Sequence, residues 1–342
     1  MAQINKPTDY FNTVLYTGNG STQSITGVGF QPDWVWIKQR GGTTWHQLYD
    51  SVRGVTKALA SNDTFQEDTR ATGLTAFGSD GFTVGSDNNA NGSSNTYVAW
   101  NWLADNTSGS SNTDGSITST VSANTTSGFS IVSYTGTGAN ATVGHGIDTP
   151  KMIIVKNISV TKNWCVYHHS IGNAKIMKLN ATDAETANTT TFNSTSPNSS
   201  VFTVGTSSLT NSSGENFIAY CFAEKKGFSK FGSYTGNGNA DGTFIYTGFK
   251  PAFVIYKSTD LVDSWFMQDT TRDTYNPADL RLEPNGSGAE GTSANFSVDY
   301  LSNGFKIRAN HSQTNNSGTN YIYMAFAENP LVGTNNIPAT AR

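Results

Sequence analysis

The sequence predicts an all-β chain of three tandem antiparallel β-sandwich domains, of the jelly-roll or concanavalin-like type. Three observations carry this. A short phrase, "YTGNG" at Tyr16–Gly20, returns as "YTGTG" at Tyr134–Gly138 and as "YTGNG" at Tyr234–Gly238. The same landmarks follow each copy in the same order, which is the mark of a repeated structural unit. The segments between landmarks are short, rich in β-branched and aromatic residues, and punctuated by Gly, Asn, Asp and Pro, and no window carries a helical stripe.

The landmarks fall in order. After the phrase comes an apolar strand ending in lysine: "GFQPDWVWIK" to Lys38, "GIDTPKMIIVK" to Lys156, "GFKPAFVIYK" to Lys257. A tryptophan follows, Trp45, Trp164 or Trp265, and its recurrence predicts a place in the core. Next is a hairpin-like phrase, "SDGFTVG" from Ser79, "SSVFTVG" from Ser199, "SNGFKIR" from Ser302. Each copy closes on an aromatic strand: "YVAWNWLA" from Tyr97, "FIAYCFAE" from Phe217, "YIYMAFAE" from Tyr321. "TGNG" reads as a tight turn closing the first strand, because Asn-Gly favours left-handed backbone. The expected boundaries are a leader over 1–10, copies over 11–104, 128–227 and 228–328, and a C-terminal arm over 329–342. Residues 105–127, almost purely Ser, Thr, Asn and Gly, read as an extended linker that leaves the first copy the more independent. The brief join between the second and third copies predicts close coupling.

Composition narrows the function classes. Of 342 residues, 13% are charged and 12% aromatic, and the net charge is −4. So few charges with so many aromatics suit packed β-domains with polar, uncharged surfaces rather than disorder. No basic stripe is present to grip nucleic acid. No apolar run is long enough to span a membrane as a helix. The opening "MAQINKPTDYF" lacks an apolar h-region, so a Sec signal is not expected. Cys165 and Cys221 read as small buried hydrophobes, with a disulfide left open.

Catalytic groups are hard to assemble from the sequence. The histidines His46, His145, His168, His169 and His311 share no position across the copies, and no nucleophile elbow is present. Glu224 and Glu328 recur just after the closing strand, where a strand-end hydrogen bond is the expected role. Asp50 with Arg53, and Asp269 with Arg272, have the spacing of a local turn salt bridge. "DNNANG" at Asp87–Gly92 matches half of a calcium loop and then fails, since Val98 stands where the bidentate Glu should be. No metal and no cofactor is therefore expected. Binding candidates are the polar loop residues Asp87, Asn89, Asn91, Asn95, Asn211, Asn216, Asn310, Asn315 and Asn320. Trp34 with Trp36, and Trp100 with Trp102, alternate on their strands so that each pair shares a face. One pair facing outward would serve a partner subunit or a stacked sugar.

Several phrases together resemble a family of repetitive virion proteins of tailed bacteriophages, common in phages of marine and aquatic bacteria. They are "DYFNTVLYTGNGSTQSITGVGFQPDWVWIK", "DGSITSTVSANTTSGFSIVSYTGTGANATVGHG", "PKMIIVK", "FIAYCFAEKKGFSKFGSYTGNG" and "YIYMAFAENP". The resemblance implies a non-enzymatic structural protein of lectin-like β-sandwiches, assembled in the host cytoplasm and released in the virion. Tail-fibre or spike location with host attachment is the leading expectation. A capsid decoration or cement protein is the alternative, favoured by the short leader, and a polysaccharide depolymerase a minor one. The partners implied are other tail or capsid subunits, copies of itself and host surface polysaccharide, without nucleic acid or membrane.

Overall fold

The computed structural model of the chain describes residues 3–329, with the backbone of Leu331–Val332 and Pro338–Ala339. The C-terminal arm expected over 329–342 otherwise lies outside the described residues. The chain is all-β and its sheets antiparallel; among the described residues the α-helices are the four-residue Asn88–Asn91 and Ser312–Asn315.

One strand order occurs three times. In the first copy the strands Phe11–Thr17, Thr96–Trp102, Trp34–Gln39 and Gln47–Asp50 lie side by side in that order. In the second the order is Phe129–Thr135, Asn216–Ala223, Pro150–Asn157, Cys165–His168. In the third it is Ser229–Thr235, Asn320–Ala327, Pro251–Ser258, Phe266–Asp269. A smaller sheet faces each broad one. Its strands are Gln23–Thr26, Gly81–Val84 and Leu74–Gly78 in the first copy. They are Ala141–Gly144 with Val201–Val204 in the second, and Phe244–Tyr246, Gly304–Ile307 and Val298–Leu301 in the third.

Side chains alternate along a strand, so each broad sheet has two faces to cover. Val35, Ile37, Tyr97 and Ala99 point toward the smaller sheet and join Ile25, Phe82 and Val84 in one core. Equivalent cores lie in the second and third copies. The opposite face is not left to water. Trp34, Trp36, Trp100 and Trp102 join Ile154, Tyr220 and Phe222 of the second copy and Phe253, Ile255 and Phe326 of the third in a single shared core. Burial on both faces explains why "WVWIK" and "YVAWNW" are buried at every position and show no apolar–polar alternation.

The shared core is closed by hydrogen bonds that run in a ring. Glu67 N–H donates to the Ile158 carbonyl, Glu185 N–H to that of Thr259, and Glu290 N–H to that of Arg40, at 3.2, 2.8 and 2.6 Å. The first copy thus bonds the second, the second the third, and the third the first. A second set runs beside it. The Trp164 and Trp265 indoles donate to the carbonyls of Ala60 and Lys178, and His46 Nε2 meets that of Glu283. The first copy is therefore not the independent one.

The 105–127 stretch is not a free tether either. It forms strands Ser110–Asn112 and Ser119–Asn124, which extend the second copy's broad sheet beyond Phe129–Thr135. Ile117 and Val121 enter that copy's core, and Asn106 N–H donates to Asp33 at 3.0 Å. The leader also docks, with Ile4 in the shared core and its N–H on the Lys226 carbonyl at 3.1 Å.

The recurring phrase is where the chain crosses from broad sheet to small sheet, not a two-residue hairpin. A Cβ on Gly18, Gly136 or Gly236 would sit 2.3, 2.2 or 2.3 Å from the backbone oxygen of Gly92, Ser212 or Asn316. Only glycine admits that approach. Gly20, Gly138 and Gly238 have φ of 70, 74 and 68°. The leading tyrosine fixes the crossing: the hydroxyls of Tyr16, Tyr134 and Tyr234 donate to the carbonyls of Ala90, Thr210 and Thr314.

Candidate functional site

The polar loop residues divide into two groups. Asn91, Asn211 and Asn315 are fully buried. Their side-chain oxygens accept from the N–H of Asn19, Thr137 and Asn237 at 3.0, 2.8 and 2.9 Å. Their amide nitrogens donate to the carbonyls of Gly85, Gly205 and Ala309. These three hold the phrase loops in place and have no capacity left for a ligand. Asp87 caps the short helix by accepting from Asn89 N–H at 2.8 Å, and meets Arg70 at 3.2 Å. The Asn89 amide donates to the same carboxylate. Asn95, Asn216, Asn310 and Asn320 stay partly or fully exposed. The bonds of Asn91, Asn211 and Asn315 each stay within one copy.

The tryptophan pairs do not face outward. Trp34, Trp36, Trp100 and Trp102 are 0% exposed. Trp34 stacks on Tyr220 at 4.3 Å, and Trp102 meets Phe253 and Phe326 edge to face at 5.9 and 5.7 Å. They serve an interface between copies of one chain, and a sugar cannot reach them. The reason is the second covered face: all four share one face of the broad sheet, and solvent on that side would have left both pairs free.

The tryptophan expected in the core of every copy behaves differently in the first. Strand register pairs Ile37 with Gln47, Val155 with Cys165 and Tyr256 with Phe266. That places His46, not Trp45, opposite Trp164 and Trp265. Trp45 is displaced to a partly exposed position, its ring 5.5 Å from Phe65 and the Arg70 guanidinium 5.8 Å from its centroid. These groups wall an open pocket of about 360 Å³ over Ala58 and Leu59, rimmed by Gln66, Glu67 and Asp68. A smaller pocket of about 240 Å³ lies between the second and third copies, beside Lys175, Glu185 and Asp260.

The histidines each commit a ring nitrogen to the backbone. His46 Nδ1 accepts from the Trp36 indole at 2.8 Å while Nε2 meets the Glu283 carbonyl at 3.1 Å. His145 Nε2 meets the Asn198 carbonyl, His169 Nε2 that of Phe231, and His311 Nδ1 accepts from Gln313 N–H. His168 Nδ1 accepts from Ser170 N–H, so Nε2 carries the proton it donates to the Tyr323 carbonyl at 3.2 Å. Burial and the neighbouring His169 push His168 down to about 3, so the ring is neutral near pH 7. Burial likewise lowers His46 and His145.

Other ionisable groups are structural. Arg53 pairs with Asp50, and Arg272 with Asp269, both at 2.5 Å and three residues apart, but these pairs are buried rather than on the surface. Glu224 accepts from Lys230 and from Phe231 N–H, and Glu328 pairs with Lys250. Cys165 and Cys221 are free and fully buried, and burial raises both thiols. Among the described residues no three His, Cys, Asp or Glu side chains lie close enough to hold a metal ion, and no helix is long and apolar enough to cross a membrane.

The terminal lysine of the apolar strand is buried in every copy. Lys38 donates to the carbonyls of Gln39 and Gly42, Lys156 to those of Asn157 and Thr64, and Lys257 to those of Ser258 and Leu261. Their recurrence was legible in the sequence, but as a strand end and not as a buried charge. No curated protein matches the sequence. Residues 6–330 match the model of a domain of unknown function, DUF7483, and the chain belongs to that family.

Proposed function

We propose that the chain is a set of three β-sandwich modules forming a non-enzymatic structural protein of a tailed-bacteriophage particle, tail-associated and engaged in host attachment. The observation that carries this reading is the closed ring of inter-copy bonds around one core. Three subunits would ordinarily be needed for such a threefold frame, and here one chain makes it. A frame of this kind is rigid, presents its loops outward, and commits its histidines and buried ion pairs to holding backbone. That is the economy of a contact protein, and it accords with the resemblance of the repeated phrases to phage virion proteins.

The test is competition. Purified protein added to susceptible cells should reduce phage adsorption in a saturable way, since many weak sites on a particle act together. Adsorption unchanged at saturating protein would remove the attachment reading. A capsid-surface decoration protein is the second reading. The threefold recurrence favours it, because three near-equivalent edges suit a symmetric lattice. Copy number separates the two: tens to hundreds of chains per particle for decoration, fewer for a fibre.

A further inference from the structure

We propose that the pocket between Trp45 and Phe65 binds a neutral saccharide. The first argument is internal to the chain. Backbone pairing sets Leu59 beside Leu48, Met177 beside Val166 and Leu282 beside Met267. Counting on from those positions reaches Glu67, Glu185 and Glu290, the three residues whose N–H groups close the ring. The same alignment puts Asn163 and Ser264 at the place of Trp45, Asp183 and Gly288 at that of Phe65, and Asn188 and Ser293 at that of Arg70. Two copies therefore close the same frame with none of these three side chains. What the first copy adds there, the fold does not require.

The second argument is exposure. Trp45 is the one tryptophan of seven outside the cores, and Phe65 beside it is 51% exposed. Two aromatic rings at the mouth of a pocket forgo burial that either could have had in a core. The chemistry then selects the ligand. Aromatic walls over an Ala58 and Leu59 floor suit the C–H face of a pyranose, and the rim of Gln66, Glu67, Asp68 and Arg70 offers donors and acceptors to its hydroxyls. Glu67 is paired with Lys57 at 3.5 Å and with Arg53 at 3.4 Å, so its charge is balanced within the rim. Arg70 is moreover already engaged by Asp68 at 3.1 Å and Asp87 at 3.2 Å. Anionic sugars and phosphates are disfavoured. The size of the pocket is at the small end for ligand sites, which suits one or two sugar rings.

Saccharide binding stands on this geometry, and its use in host attachment rests on the function proposed above. The experiment titrates the full-length protein with glucose, galactose, mannose, rhamnose, N-acetylglucosamine and N-acetylgalactosamine. Tryptophan fluorescence and saturation-transfer NMR are followed together. At least one sugar should give a saturable response, weakened tenfold or more in both Phe65→Ala and Trp45→Ala while the melting temperature of Phe65→Ala stays near that of the parent. Phe65 is half exposed, so its removal keeps the test open even where Trp45→Ala disturbs the fold. No saturable response to any of the six, or equal binding by parent and both variants, overturns the inference. Sugar binding present with no competition for adsorption sinks the attachment reading alone. Competition present with no sugar binding sinks the pocket alone.

Discussion

The Trp100 indole N–H donates to the Asp269 carboxylate at 3.0 Å across 169 residues of chain. It is one of a related trio. Strand register makes Tyr220 the counterpart of Trp100, and the Tyr220 hydroxyl donates to Asp50 at 2.8 Å. At the remaining junction His168 takes the place of the aspartate and donates to the Tyr323 carbonyl at 3.2 Å. Three different chemistries thus fill one geometric role, and each spans two copies.

Removing the donor at this junction should cost more than removing a neighbouring indole of the same size. Trp100→Phe leaves a buried carboxylate oxygen short of a partner. The Trp102 indole N–H is buried with no partner among the described residues, so Trp102→Phe loses volume but no hydrogen bond. Arg272 Nε still meets the same oxygen, so the expected difference is the net worth of one hydrogen bond to a charged group, about 1.5–3 kcal/mol. Urea unfolding of the two variants side by side reads it. Equal losses would mean that the Trp100 bond contributes nothing.

The shared core should make the chain unfold as one unit. Its copies cannot separate without exposing Trp34, Tyr220, Phe253 and the rest of that face to water. Calorimetry and far-UV circular dichroism should therefore show one coincident transition, not three. Residues 128–227 expressed alone should associate or stay unfolded, since Ile154, Tyr220 and Phe222 would form an apolar surface of the kind soluble monomers avoid. A monomeric, cooperatively folding fragment would show that the shared core is dispensable.

How much of this was legible in the sequence depended on which face was read. The repeat, its strands and their punctuation could be followed because turn glycines and apolar runs are local signals. The second covered face could not, since the rings that stack on Trp34, Phe129 and Tyr220, belong to another copy of the repeat. The missing alternation in "WVWIK" was the available sign. The shift from Trp45 to His46 was also countable: Trp45 stands one residue closer to Lys38 than Trp164 does to Lys156 or Trp265 to Lys257. In the 105–127 stretch, composition masked a strand whose Ser119 and Val121 alternate inward. The Trp45–Phe65 pocket left no local signal, because the two rings meet only once the intervening chain has folded back.

The three buried asparagines should be equally sensitive. Asn91→Ala, Asn211→Ala or Asn315→Ala strips an acceptor from the phrase loop and a donor from one buried and one part-buried carbonyl. Each should cost on the order of 2–4 kcal/mol, several times the effect of a typical surface change. Exposed Asn310→Ala serves as the control and should stay within about 0.5 kcal/mol. Denaturant midpoints read all four. A neutral result at any buried position would contradict its anchoring role.

Stability should rise with pH between about 7 and 9. Burial lowers the Lys38, Lys156 and Lys257 amines to about 8, about 7 and about 8, only partly offset by Glu290 near Lys38, Asp63 near Lys156, and Asp263 and Asp183 near Lys257. The unfolded chain holds those protons up to the ordinary lysine value near 10.4. As pH climbs past 7 the native state releases protons that the unfolded state keeps, so the free energy of unfolding increases. The slope is up to about 1.4 kcal/mol per pH unit for each lysine. Below about pH 6 the amines are charged in both states and contribute no slope. Above pH 9 the raised Cys165 and Cys221 thiols act in the opposite sense, because the native state then holds protons that the unfolded chain has lost. Guanidinium midpoints should therefore climb from pH 6 to 9, with the lowered His46, His145 and His168 contributing below pH 7 and the three lysines above it. Lys156→Met should flatten the climb by removing the earliest of the three titrations. A midpoint that falls from pH 7 to 9 would mean that the carbonyl cages keep the ammonium groups charged, and that their burial is neutral to folding.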